Sequence, residues 1–150
     1  MDTVDKKTRS RIMSSVGQYD TGPELRLRKS LHRRGLRYRT NVKQLAGSPD
    51  LVFPKYNAVI FVHGCFWHRH GCKYTTTPST RHTFWMEKFR KNKNRDRRNV
   101  EMLLDQGWRA MIVWECIVKQ CDTIELAQLA TVISDWLSSG VPYEEISPVS

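Results

Sequence analysis

Residues 50–62 read DLVFPKYNAVIFV. An acid opens a short apolar run, Pro54 to Asn57 interrupt it with turn composition, and five apolar residues follow at 58–62. Two apolar segments joined by so short a turn predict a β-hairpin. The second segment lacks polar alternation, the pattern of a central strand covered on both faces. Residues 108–114 repeat that pattern and predict a second buried strand. Strands covered twice need helices to cover them, and the flanks supply candidates.

Upstream, Thr21-Gly-Pro-Glu24 is a helix start: Thr21 can cap, Pro23 fits the first turn and Glu24 completes a capping box. That helix runs to about Arg34, stops at Gly35 and carries Leu27 and Leu31 as an apolar stripe. Residues 36–40 alternate apolar and basic and predict a strand, and 41–49 a loop. Downstream, residues 80–106 predict a long helix closed by Gly107. A last helix starts at Asp122 or Thr123, with Ile124, Leu129, Ile133, Trp136 and Leu137 on its apolar face. The order α-β-β-β-α-β-α predicts an α/β fold, a mixed sheet with helices on both faces. One domain spans 1–150, with a basic arm at 1–19 (a short helix at 5–15) and a loose end at 140–150.

The 150 residues hold 25 Lys and Arg against 15 Asp and Glu, a formal charge of +10. All the basic residues and ten of the acids fall in 1–119, and the last 31 residues carry five acids and no base. A basic body of this kind suits a polyanion, nucleic acid above all. With 39% hydrophobic residues the chain can build a core and is not a disordered tail. Its longest apolar runs fall far short of the roughly 18 residues that span a bilayer. The start, MDTVDKKTRS, has no apolar segment of a secretory signal. The expectation is a cytoplasmic protein without a membrane partner.

Asp50 follows Pro49. A carboxylate at the mouth of one hairpin strand faces groups leaving the end of its partner, as a divalent cation such as Mg²⁺ requires; Pro-Asp is also an ordinary turn pair. The partner strand runs into HGCFWHRHGC at 63–72, where His63 and His68 titrate near neutrality and His68 can act as a general base. Cys65, His70 and Cys72, with Cys116 beyond the next strand, make a closed tetrahedral set for structural zinc. Spacing leaves open that His68 replaces His70, or that the cysteines are simply buried. Cys121 is left over as a free thiol or core residue. Phe66, Trp67 and Trp85 either wedge between bases or pack in the core. KFRKNKNRDRR at 88–98 offers a helix rich in Lys and Arg for phosphates, with Asn able to reach base edges.

Several of these stretches together resemble one family. PD at 49–50, VIFVHGCFWHRHGC at 59–72, FWMEK at 84–88, NRDRR at 94–98 and GWRAMIVWEC at 107–116 are similar, in register, to the very short patch repair (Vsr) endonucleases. The resemblance implies a restriction-endonuclease-like fold of the PD-(D/E)xK superfamily with a structural zinc site. It implies a Mg²⁺-dependent, strand-specific nick 5′ to the thymine of a T:G mismatch, the product of 5-methylcytosine deamination. By position, Asp50 corresponds to the metal-binding aspartate, His68 to the catalytic base, His63 to a second active-site histidine and Glu24 to an acid beside them. Cys65, His70, Cys72 and Cys116 correspond to the zinc ligands.

For DNA contacts, Phe66, Trp67 and Trp85 correspond to the aromatic wedge, Lys88 and Asn92 to groups at the mismatched bases, and Met13 to a minor-groove insertion. Val62 stands where the best-known members carry threonine. The family uses that residue's backbone oxygen for Mg²⁺, which valine retains. The superfamily lysine is absent, as suits a histidine-based variant. A monomer on duplex DNA, with a MutL-type mismatch-repair protein as a further partner and a nucleoid-associated location, completes what the resemblance implies. A nickase that accompanies a cytosine methyltransferase and cuts paired DNA, and a zinc-stabilised DNA-binding protein without catalysis, are the alternatives.

Overall fold

The computed structural model describes residues 22–64 and 80–146. Five strands form one mixed sheet in the order β1-β2-β3-β4-β5: Arg39–Thr40, Leu51–Phe53, Ala58–His63, Arg109–Trp114 and Tyr143–Ile146. The first three are antiparallel, with Leu51 opposite Ile60, while β3–β4 and β4–β5 are parallel. Helices α1 (Gly22–Arg33), α2 (His82–Asp105), α3 (Glu115–Gln120) and α4 (Thr123–Leu137) complete the described chain. The mixed α/β arrangement is compatible with a nuclease-like fold.

The expected hairpin is present. Pro54–Tyr56 form a single 3-10 turn and Asn57 takes the left-handed conformation, φ 49°, that returns the chain into β3. Every residue of β3 is buried, as an uninterrupted apolar run requires. Alternate residues divide the core between two faces. Leu51, Phe53, Ala58, Ile60, Val62, Met111 and Val113 pack against Leu27 and Leu31 of α1 and the inner face of α4. Val52, Val59, Phe61, Ala110, Ile112 and Trp114 pack against Leu103 of α2. Helices therefore cover both faces, as expected.

The first helix ends in a Schellman turn. Leu36 N–H bonds the Leu31 carbonyl at 3.1 Å and Gly35 N–H that of His32 at 3.0 Å, with Gly35 at φ +97°. This geometry shortens the expected strand at 36–40 to Arg39–Thr40. Leu36 and Tyr38 instead turn onto the core, and the Tyr38 hydroxyl bonds the Arg28 carbonyl at 2.8 Å. Gly47 is required in the following loop. At φ +78°, a Cβ there would stand 2.9 Å from Asn99 of α2 and 3.0 Å from Phe61.

Three expectations need correction in the C-terminal third. The sequence reading gives no helix at 115–120, yet α3 turns the chain directly off β4. Ile124 is not on the buried face of α4: it is 70% exposed, and Leu126, Leu129, Ala130, Ile133, Trp136 and Leu137 form that face. The capping box of Asp122 and Glu125 sets the helix phase, turning Ile124 outward. The expected loose end at 140–150 carries β5, an outer strand beside β4, at 143–146. The helix at 5–15 and the terminal residues 147–150 lie outside the described residues. Among the described residues, no helix is long and apolar enough to cross a membrane.

Candidate active site

The two crossovers leave the sheet on opposite faces. The connection from β3 to β4 includes α2 on one side, and that from β4 to β5 carries α3 and α4 on the other. Adjacent parallel strands with diverging crossovers open a crevice at their carboxyl ends. His63 ends β3 and Trp114 ends β4. Because β2 is antiparallel to β3, Asp50, just before Leu51, stands at the same end.

Among the described residues, the buried polar or charged side chains are Glu24, Asp50, His63 and Glu115. Glu24 lies three and seven residues before Leu27 and Leu31, so the helical stripe that buries the leucines also buries the acid. Glu24 and Asp50 meet carboxyl to carboxyl. The Val62 N–H donates to Asp50 Oδ2 at 2.6 Å, and Arg28 donates to Glu24 Oε2 at 2.8 Å, one turn along α1. Burial, then the Glu24 carboxyl, pushes the Asp50 pKa up to about 9; the Val62 N–H and the Arg28 charge oppose this. A negative charge on Asp50 beside the Arg28-bound Glu24 is unfavourable in so buried a place, so the Asp50 carboxyl holds its proton.

This donor set suits a hard divalent cation. The buried carboxylates supply two oxygen donors and a charge that a cation relieves. On a strand, the N–H and C=O of one residue point to the same edge, so the Val62 N–H that binds Asp50 directs the Val62 carbonyl towards the same acid. The Val62 side chain faces the other way functionally: it is part of the apolar core beneath α1. Valine in place of threonine therefore leaves the backbone contribution intact.

His63 packs against aromatic rings, 5.7 Å from Phe61 and 5.2 Å from Trp114 between ring centroids. Glu115 begins α3 beside this end and lies 4.0 Å from Lys119. Cys116 is fully buried next to it. The remaining expected zinc ligands, Cys65, His70 and Cys72, lie outside the described residues. So do His68, Phe66, Trp67 and Met13. Cys121 is half-buried, its thiol bonded to the Ile117 carbonyl at 3.0 Å, and burial raises its pKa, so it is a core thiol and not a reactive one.

The expected DNA-contacting groups on α2 occupy its first half. Lys88 is exposed and Asn92 half-buried, one turn apart. Trp85 lies between the two readings given for it: it stacks on the buried Phe89 at 5.8 Å and meets the exposed Phe84 edge-on at 5.4 Å. The structure thus joins Asp50, Glu24, Val62 and His63 at one end of the sheet, with Trp85, Lys88 and Asn92 on the helix that covers one face. Sequence reasoning missed Arg28, although Glu24 and Arg28 at i and i+4 on a helix are a readable ion-pair signal.

A family model described as DNA mismatch endonuclease Vsr matches residues 1–74. The chain is 42% identical over 136 residues to the DNA mismatch endonuclease Vsr of Escherichia coli (strain K12), covering 91% of this chain and 87% of that protein. It is 39% identical over 132 residues to the type II nicking enzyme V.XorIIP of Xanthomonas oryzae pv. oryzae, covering 88% and 96% of the two chains. Another type II nicking enzyme, V.NmeAIP of Neisseria meningitidis serogroup A, is 41% identical over 118 residues, covering 79% of this chain and 84% of its own.

Proposed function

Since the chain belongs to the Vsr family of DNA mismatch endonucleases, we propose that it nicks one strand of duplex DNA, 5′ to the thymine of a T:G mismatch left by 5-methylcytosine deamination. The observation that carries the reading is the buried Asp50–Glu24 pair at the crevice between diverging crossovers. Asp50, Glu24 and the Val62 backbone oxygen would hold Mg²⁺. When bound, the ion supplies positive charge that eases ionisation of water and stabilises the leaving oxygen of the scissile phosphate.

This chain's residues do the rest. The Val62 N–H fixes the Asp50 carboxylate, and Arg28 fixes that of Glu24. His68 would take the proton of the attacking water, and His63, which ends β3, would be the second active-site histidine. Cys65, His70, Cys72 and Cys116 would hold a structural zinc that shapes the loop carrying His68; the burial of Cys116 at the end of β4 suits such a closed site. Phe66, Trp67 and Trp85 would wedge beside the mismatch, where unstacking costs least. Lys88 and Asn92 would read the bases, and Met13 would enter the minor groove. One monomer suffices for one asymmetric mismatch. A MutL-type partner at the chromosome belongs to the same proposal.

The test is a strand-resolved nicking assay with Mg²⁺ on duplexes that differ in a single T:G pair at a methylated-cytosine site. One nick 5′ to the thymine, lost with chelator, is expected. Relatives named as type II nicking enzymes favour a second reading, a site-specific nickase accompanying a cytosine methyltransferase. Equal nicking of the fully paired duplex would select it. Binding with no Mg²⁺-dependent product would leave a zinc-stabilised DNA-binding protein without catalysis. Metal analysis is expected to give one zinc per chain, reduced by Cys65→Ser; a folded, active, zinc-free protein would overturn the zinc assignment.

A further inference from the structure

We propose that Glu145, on the outer strand β5, is a positioning residue for His63 and acts through the indole of Trp114. The proposal rests on the reading of His63 as an active-site group. His63 and Trp114 are direct neighbours across the parallel β3–β4 pair. Their ring planes meet at 73° with centroids 5.2 Å apart, and Phe61 flanks the imidazole from two residues back on the same strand. The orientation of the Trp114 ring therefore defines one wall of the space that His63 occupies.

Packing alone leaves an indole a choice. A half-turn about the bond to the ring exchanges its N–H edge for a carbon edge at small change in volume. An indole has one donor and no acceptor, so a suitably placed acceptor selects one of the two orientations. Glu145 is that acceptor: Trp114 Nε1 donates to Glu145 Oε1 at 2.8 Å. The parallel register, Ile112 opposite Glu145 and Val113 opposite Ile146, brings the carboxylate beside the end of β4. An acceptor is not automatic for a buried indole in this protein, because Trp136 Nε1 has none among the described residues. The strand that the sequence did not announce thus reaches the end of the sheet where Asp50, Glu24 and His63 stand.

The test uses the full chain with Glu145→Leu, which removes the acceptor, and Glu145→Gln, which keeps one. Single-turnover nicking of the T:G duplex is expected to fall roughly five- to tenfold in Glu145→Leu, the scale of one lost hydrogen bond. Melting temperature should fall by no more than a few degrees, DNA affinity should not change, and Glu145→Gln should recover most of the rate. In a His63→Ala background, Glu145→Leu should add nothing. Equal losses in the Leu and Gln variants, or a Glu145→Leu loss that persists without His63, would overturn the proposal. So would a wild-type rate in Glu145→Leu.

Nuclear magnetic resonance separates this from the functional reading. The Trp114 indole N–H and the His63 imidazole C–H signals should both move in Glu145→Leu and stay near wild type in Glu145→Gln. If the wild-type protein does not nick, the proposed function fails, and these shifts alone decide the positioning role. A His63 signal unmoved in Glu145→Leu would end it.

Discussion

The two ends of the sheet both draw an ionisable side chain into the fold, half-buried at one end and buried at the other, and they treat it oppositely. At the end where β4 begins, Arg109 is surrounded by acceptors. Its Nε bonds the Val141 carbonyl at 3.0 Å, its Nη1 that of Leu137 at 2.8 Å and its Nη2 that of Trp136, while the guanidinium lies 4.5 Å over the Trp136 ring. Two of these carbonyls belong to the last turn of α4, so the arginine caps that helix and ties it to the sheet. At the end where β4 finishes, Asp50 faces another carboxyl. A charge whose partners are complete is scaffolding. A buried acid set against a second carboxyl is held protonated at a cost in stability, an arrangement that a bound cation would relieve.

The largest test of this contrast is Asp50→Ala. It should lower Mg²⁺-dependent nicking by about 10³-fold or more while duplex binding stays, since the loss falls on chemistry and not on folding. Wild-type turnover by this variant would remove Asp50 from the site. Arg109→Ala should do the reverse. Losing hydrogen bonds from a charged donor and the stacking on Trp136 should cost about 2–4 kcal/mol of stability. The protein that remains folded at low temperature should nick at close to the wild-type rate. A nicking defect in folded Arg109→Ala would blur the distinction between the two ends.

The frustrated end also predicts a dependence on pH. Asp50 ordinarily ionises at 3.8 but at about 9 in the fold. The folded state favours the protonated carboxyl, so this stabilisation is complete below about pH 4 and fades as pH rises towards about 9. Metal-free thermal melts should show that decline, and Asp50→Asn, which cannot ionise, should flatten it. Added Mg²⁺ at pH 8 should raise the melting temperature of the wild type more than that of Asp50→Asn. A wild-type stability that rises across the same window would contradict the assigned direction.

The contrast between the ends explains what the sequence revealed. β3 and β4 were legible because burial on both faces leaves an unbroken apolar run. The position of Asp50 followed from the hairpin, because an acid before one strand of a tight pair must sit by the end of the other. Glu24 was readable as a helix start, and its alignment with Leu27 and Leu31 shows why it is buried as well. The outer strand was not legible: Tyr143-Glu-Glu-Ile146 is mostly exposed, and its acids suit an edge that must not pair with another chain. Nor does any local pattern connect Glu145 to Trp114, 31 residues earlier, or Arg109 to the carbonyls that it caps. Both contacts arise only when the sheet has assembled.

The smallest expected effect lies on α4, the helix that Arg109 holds. The periodicity of the apolar residues predicts Ile124 on the buried face, whereas the capping box fixes a phase that turns it out and Leu126 in. Ile124→Lys should therefore change stability by less than about 0.5 kcal/mol, as surface substitutions do. Leu126→Ala, removing side chain from the core beneath the same helix, should cost about 2–3 kcal/mol. Chemical denaturation of the two variants reads this directly. A large loss in Ile124→Lys would mean that α4 is rotated about its axis. Leu137 and Trp136 would then present different carbonyls to Arg109, and the completed set of partners that marks that end of the sheet as scaffolding would no longer hold.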